Sequence, residues 1–337
     1  MVYDMCALSA VYVTAMASYT IDVSRHILLL GSYSRDTQTK YLAAVTTFSL
    51  WLHELAILPR SFKELDHHLS NYMADLWFAG KGKAEATCTF YGLDMFMPGL
   101  RYKLPVSLRS IRGFTRLCPS VPHPPLPWTV TNAIAAWLAV NCRSHRLACA
   151  LSVVLSFDCY LRTSELLGLM YEDIAVGRDP RLGLTDHDDD KGRVHIHLRH
   201  TKTGAHKGVE VRDSQVKKLL LIHRNDHKPG DKLFPWHRST HLKWFHKACA
   251  ALKLSSDYVH HSLRHGGATR DYLAGMPIAD VMVRGRWAAT KSAVHYIQQG
   301  RQLMMLQAVP SLVDSLGRYM VDEGSIVEVL LSLSQYT

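Results

Sequence analysis

The chain has 337 residues, of which 47% are hydrophobic and 20% charged, and it carries a formal net charge of +10 at pH 7. That length accommodates two ordinary domains, and that balance excludes a disordered chain. The surplus of positive charge points to a polyanionic partner, nucleic acid first among them. Seven cysteines (Cys6, Cys88, Cys118, Cys142, Cys149, Cys159 and Cys249) are scattered, odd in number and without a C-x-x-C pair. They fit reduced thiols inside a cell better than a disulfide framework or a zinc knuckle.

In chain order, the apolar run Met5–Thr20 is shorter than the roughly 20 residues a membrane span needs. Asp4 stands before it instead of a cation, which argues against a signal peptide. It reads as a helix of the first domain, and no long apolar span follows, so no membrane partner is expected. Tyr41, Ala44, Val45, Phe48, Trp51, Leu52 and Leu55 recur at helical spacing and predict a helix over Thr37–Leu58 that Pro59 ends. Further helices are predicted at Phe62–Phe78, Ala84–Phe96 and Leu108–Leu117. Residues 1–117 therefore read as an all-helical domain. Cys118-Pro-Ser-Val-Pro-His-Pro-Pro-Leu-Pro127 holds five prolines in ten residues, reads as a stiff extended linker and places the domain boundary at 118–127.

The second domain, 128–337, opens with predicted helices at Val130–Val140 and His145–Tyr160. The period then changes. Arg193–Leu198 and Gly208–Val211 alternate with period two, and Thr201-Lys-Thr-Gly204 between them supplies a turn, so a β-hairpin is expected inside a helical domain. Helices resume at Ser214–Arg224, His241–Leu252, His261–Ala274, Pro277–Arg286 and Ser292–Gln307. The fold class is thus mainly α, with a small antiparallel hairpin or sheet in the second domain. Asp186-His-Asp-Asp-Asp190 reads as a solvated loop, and no metal site is assigned to it. The apolar tail Ser325–Leu333 packs either on its own domain or on a neighbouring protomer.

Four stretches carry chemistry together: Tyr160-Leu-Arg-Thr-Ser-Glu-Leu166, Thr201-Lys-Thr-Gly204, His261-Ser-Leu-Arg-His265, and Gly285-Arg-Trp287 with Tyr296 nine residues beyond the Trp. A phosphodiester is anionic, and charge builds on its nonbridging oxygens under attack. Two guanidiniums, Arg162 and Arg264, can clamp those oxygens. A phenol keeps its proton at neutral pH, so Tyr296 as a nucleophile needs an acceptor. His261, at i, i+3 from Arg264, is the candidate base. Lys202 on the hairpin turn can protonate a departing oxygen, and Lys207 on the next strand competes for that role. The Trp287 indole N–H can donate to a phosphate oxygen. Glu165 reads as an acid that orients catalytic groups, and His265 as a packing residue or a donor behind the site.

In order and spacing these residues resemble the tyrosine recombinases, the phage-integrase family, over roughly residues 125–305. The pattern is an Arg followed three residues later by an acid, a Lys on a hairpin turn, H-x-x-R, a His or Trp, and a Tyr nine residues on. The resemblance implies an N-terminal helical core-binding domain that contacts DNA and a mixed α/β catalytic domain. It also implies strand cleavage and rejoining through a 3′-phosphotyrosyl link on Tyr296, without cofactor or metal. The expected partner is double-stranded DNA, held by a homo-tetramer on two duplexes in DNA recombination or integration by a mobile genetic element, and the expected location is intracellular, with DNA. Two alternatives share the residues: a type IB topoisomerase that relaxes DNA, and a catalytically silent DNA-binding remnant of a mobile element.

Overall fold

The computed structural model describes residues 27–119, 123–142, 145–177, 192–201, 204–322, 327–329 and 332. It divides the chain into two compact units, Met1–Val121 and Pro122–Thr337. The run Met5–Thr20 and the acidic stretch Asp186–Asp190 lie outside the described residues.

The first unit contains α1 (Ile27–Gly31), α2 (Arg35–Glu54), α3 (Phe62–Phe78), α4 (Lys83–Phe96), a 3-10 turn (Leu100–Lys103) and α5 (Pro105–Leu117). Phe48, Leu65, Leu69, Met73, Phe90, Leu93 and Phe114 meet in its core. Ser61 caps α3 by accepting from the Glu64 N–H, and Glu64 reaches back to the Arg60 N–H at 2.7 Å. The buried Asp66 of α3 caps α5 instead, accepting from the Val106 and Ser107 N–H groups at 2.8 and 2.7 Å. Helix α2 ends at Glu54, four residues before the expected Leu58. Ala56 takes a left-handed conformation (φ 53°), and the Ile57 N–H returns to the Leu52 carbonyl, closing a Schellman turn before Pro59 is reached.

The second unit follows with α6 (Trp128–Asn141), α7 (Arg146–Asp158), α8 (Thr163–Leu167), β1 (Ile174–Val176), β2 (Val194–Thr201), β3 (Gly204–Val211), α9 (Ser214–Asn225), α10 (Arg238–Ala251), α11 (His261–Leu273), α12 (Ile278–Gly285), α13 (Thr290–Tyr296), α14 (Gln299–Gln307) and α15 (Ser311–Asp322). Helix α7 is buried from Ala148 to Asp158, which makes it the central post. The strands form one antiparallel sheet in the order β1-β2-β3, pairing Ile174 with Ile196 and Ile196 with Val209. Those side chains, with Val194, Leu198 and Val211, face the core that α7 and α9 share. Strand β1 and helices α1, α8 and α15 are additions to the predicted elements. Pro124–Pro127 are buried in this unit, and the Leu126 N–H bonds the Ser262 carbonyl at 3.0 Å. Of the apolar tail, Val327 is buried in the core of its own unit.

Two contacts set where the site forms. Helix α11 lies close against α7 because Gly266 and Gly267 leave no side chain between them. A Cβ at Gly266 would run into the Leu126 carbonyl, and one at Gly267 into the Phe157 carbonyl. The expected single helix Ser292–Gln307 is instead broken between α13 and α14. There the Gln298 N–H leaves the helical pattern for Thr269 Oγ1 at 3.2 Å, and the same hydroxyl donates to the Tyr296 carbonyl at 3.1 Å. No helix among the described residues is long and apolar enough to cross a membrane.

Candidate active site

Helix α7 ends in a second Schellman turn. The Leu161 N–H returns to Ser156, and Tyr160 stands left-handed at φ 48°. A bulky residue there costs about 1–3 kcal/mol and needs compensation. Tyr160 is held at both ends: its hydroxyl donates to Asp271 Oδ2 at 2.5 Å, and its carbonyl accepts from two arginines, Arg264 and Arg286. The turn delivers Arg162 to the start of α8, where the Glu165 carboxylate accepts from the Arg162 N–H at 2.9 Å and from its Nη1 at 2.5 Å.

Glu165 is a hub. Its Oε2 also accepts from Arg286 Nη2 at 3.0 Å and lies 3.9 Å from Arg264 Nη1. Burial opposes its ionisation. The charges of Arg286, Arg162 and Arg264, together with the Arg162 N–H, outweigh that and hold the carboxylate below its ordinary range.

Arg264, on the first turn of α11, is 0% exposed. It donates through Nη1 to the Tyr160 carbonyl and through Nη2 to the Gly285 carbonyl at 2.5 Å. Its Cζ lies 4.7 Å from the Trp287 ring centroid and 5.3 Å from that of Tyr296. Burial first, then the charges of Arg286 and Arg162, pull it down to about 9, so it remains a cation at neutral pH. Its Nε and the Trp287 Nε1 are buried and find no acceptor among the described residues. Two N–H donors are thus left beside the Tyr296 ring, an arrangement suited to an anion.

Tyr296 ends α13. Its hydroxyl lies 3.0 Å from His261 Nε2. Its ring stacks on His265 (centroids 4.5 Å apart) and lies 4.6 Å from Trp287. His265 is fixed in turn by Gln298 Nε2 at 2.9 Å from its Nδ1, and Gln298 also donates to the His123 carbonyl at 3.1 Å. Burial, with the charge of Arg264 second, pulls His261 down to about 4. The imidazole is therefore neutral at pH 7, and with its proton on Nδ1 it can accept the phenolic proton at Nε2. Trp287 reaches Tyr296 because the chain turns left-handed at Arg286 (φ 58°), which folds the indole back over Gly285. A Cβ at Gly285 would occupy the space of that ring.

The structure therefore gathers Arg162, Glu165, His261, Arg264, Trp287 and Tyr296 in one place. Lys202 lies outside the described residues, and Lys207 is exposed on β3 opposite Leu198. Among the described residues no group of three or more His, Cys, Asp or Glu could hold a metal. Sequence reasoning missed Arg286 and the frame behind it. In that frame Asp158 and Asp271 pair with Arg284 at 3.3 and 3.4 Å. The available signal for Arg286 was its place between Gly285 and Trp287, already singled out.

Several buried histidines share a consequence. Burial pulls His241 down to about 4 and His265 to about 3. The unfolded chain protonates such rings near pH 6.5, whereas the native chain does not until pH 4 or below. The unfolded state then binds more protons across that window, so stability must fall as pH drops from about 6.5 toward 4, by up to about 1.4 kcal/mol per pH unit for each buried ring. Urea unfolding midpoints between pH 7.5 and 4.5 should show this decline, and a flat profile would refute the buried neutral assignment.

The fold is that of the tyrosine recombinases. An integrase of the Tn1549 transposon, solved with transposon right end DNA, superposes with a TM-score of 0.55 at 12% identity, covering 85% of this chain and 98% of that one. A lambda integrase dimer bound to a COC′ core site gives 0.54 at 17% identity, covering 87% and 81%. The XerH site-specific recombinase, bound to a palindromic difH substrate after cleavage, gives 0.53 at 14% identity, covering 80% and 78%. Residues 129–302 match the phage integrase family, and this chain belongs to that family. No curated protein matches the chain.

Proposed function

We propose that this protein is a site-specific DNA recombinase that cuts and rejoins strands through Tyr296. The observation that carries the reading is the Tyr296 hydroxyl at 3.0 Å from a neutral His261, beside the buried cation of Arg264. In the first step His261 Nε2 takes the phenolic proton and the Tyr296 oxygen bonds to the scissile phosphorus. Arg162 and Arg264 hold the nonbridging oxygens, with the Trp287 N–H as a further donor. The bond from phosphorus to the 5′ oxygen breaks, and Lys202 protonates that oxygen as it leaves. The 5′-hydroxyl of a second strand then attacks the 3′-phosphotyrosyl link and gives its proton to Lys202, the bond from phosphorus to the Tyr296 oxygen breaks, and His261 returns the proton to the phenol. One bond to phosphorus is exchanged for another throughout, so no external energy source enters. Double-stranded DNA is the substrate, both units contact it, and four protomers assemble on two duplexes.

The test is trapping. A randomised library of duplexes nicked near the cleavage position loses its short 5′-hydroxyl fragment on cutting and cannot be rejoined. The expected result is a protein–DNA adduct that survives denaturation and maps by peptide sequencing to Tyr296. Absence of any adduct would remove the reading.

Lys202→Ala should cleave a normal phosphodiester slowly yet recover most of its rate on a 5′-bridging phosphorothiolate. A thiolate leaves without being protonated, so the missing acid matters little. If Lys207→Ala shows that rescue and Lys202→Ala does not, the general acid is Lys207.

A further inference from the structure

Arg286 has no place in the chemical steps above, yet the structure invests heavily in it. It stands left-handed, a conformation that glycine adopts freely and an arginine does not. The residue is 7% exposed, and its guanidinium lies beside the buried cation of Arg264 and the half-buried one of Arg162, an arrangement that costs free energy unless every charge is well bonded. The four terminal N–H groups have four acceptors: Nη1 donates to the carbonyls of Cys159 (3.3 Å) and Arg284 (2.9 Å), and Nη2 to the Tyr160 carbonyl (2.8 Å) and Glu165 Oε2 (3.0 Å). Arg286 is thus committed to the protein and not to a phosphate.

Two of those acceptors are shared with the clamp. Glu165 holds Arg162 through its other oxygen, and the Tyr160 carbonyl also accepts from Arg264. A third link runs through the backbone, because Arg264 Nη2 is held by the carbonyl of Gly285, the residue before Arg286. Arg286 is thereby joined through one intervening group to each clamp arginine. Arg284, two residues earlier and equally buried, is bonded to the Glu210 and Asp158 carbonyls and paired with Asp158 and Asp271. None of those groups bonds Arg162 or Arg264.

We propose that Arg286 is a positioning residue that sets the spacing of the Arg162 and Arg264 guanidiniums on the nonbridging oxygens of the scissile phosphate. The assignment rests on the recombinase reading. A neutral side chain at 286 could fill the same space without a further buried cation, and a glycine could make the same turn without strain. What a planar guanidinium does there is tie Glu165 and the Tyr160 carbonyl into one rigid frame through the two N–H groups of Nη2.

The experiment compares two linkages in the nicked duplex that the library selects. One is a normal phosphodiester. The other is a methylphosphonate, in which a methyl group replaces one charged nonbridging oxygen, so that less negative charge has to be clamped. Adduct formation is timed for the full chain, for Arg286→Lys, for Arg286→Gly (which keeps the left-handed turn) and for Arg284→Lys, each relative to the unaltered chain on the same linkage. Both Arg286 variants should lose at least about 30-fold on the phosphodiester and less than about 3-fold on the methylphosphonate, the pattern of a disturbed anion clamp. Arg284→Lys should lower the two linkages equally. Equal losses for the Arg286 variants on both linkages would make Arg286 a stability residue and overturn the proposal, as would near-normal cleavage of the phosphodiester. An unaltered chain that forms no adduct on any library member would instead remove the recombinase reading, and this assignment with it.

Discussion

Tyr296→Phe should abolish covalent attachment to DNA and leave duplex binding nearly intact. The ring keeps its contacts with His265 and Trp287, and one oxygen is lost. That oxygen is the atom 3.0 Å from His261 Nε2, so the hydrogen bond forfeited is worth only about 1 kcal/mol to the fold, whereas the reaction loses its nucleophile altogether. The measurement is a denaturing gel after incubation with the nicked duplex, beside a native binding titration. Adducts from the variant chain would place the nucleophile elsewhere and dissolve the pairing with His261. Loss of binding in step with loss of adduct would mean that the substitution disturbs the DNA surface.

Arg264→Ala should slow cleavage by at least about 100-fold, the usual cost of removing a preorganised anion donor. This substitution also empties a fully buried site and strips donors from the Tyr160 and Gly285 carbonyls, so melting temperature has to be followed alongside. Arg264→Lys separates the two effects, because it keeps a cation in the cavity and loses the planar fork. It should melt closer to the unaltered chain and still cleave poorly. Near-normal cleavage by a folded Arg264→Ala protein would exclude Arg264 from the clamp.

The helical periodicity of Tyr41 to Leu55 and the alternation of Val194, Ile196 and Leu198 are patterns of single elements, so those elements were legible in the sequence. The residues of the candidate site were legible for another reason: Arg162, Arg264, Trp287 and Tyr296 stand in the order and spacing along the chain that the family pattern has. What could not be read depends on backbone conformation or on contacts between distant residues. Nothing local marks Tyr160 or Arg286 as left-handed, because glycine is the residue usually found there. The break at Gln298 arises from Thr269, 29 residues away, so periodicity carries Ser292–Gln307 through as one helix. Strand β1 is three residues long, too short to show a period, and the Asp271 partner of Tyr160 lies 111 residues along the chain.

The hub around Glu165 leaves the site with a surplus of positive charge. Three guanidiniums, those of Arg162, Arg264 and Arg286, face one carboxylate, and His261 is neutral. Counting these side chains alone, the empty site holds two uncompensated positive charges in surroundings that screen them poorly. A phosphodiester brings one negative charge and leaves the balance half met. In the proposed reaction the five-coordinate phosphorus formed when the Tyr296 oxygen adds carries a second negative charge while the phenolic proton moves to His261, so the total stays the same and the negative charge gathers on the oxygens that the guanidiniums hold. The fixed positive surplus is thus in place before any bond changes and meets the largest negative charge on the phosphoryl oxygens only as the nucleophile adds, which is how a fixed set of charges favours the transition state over the substrate.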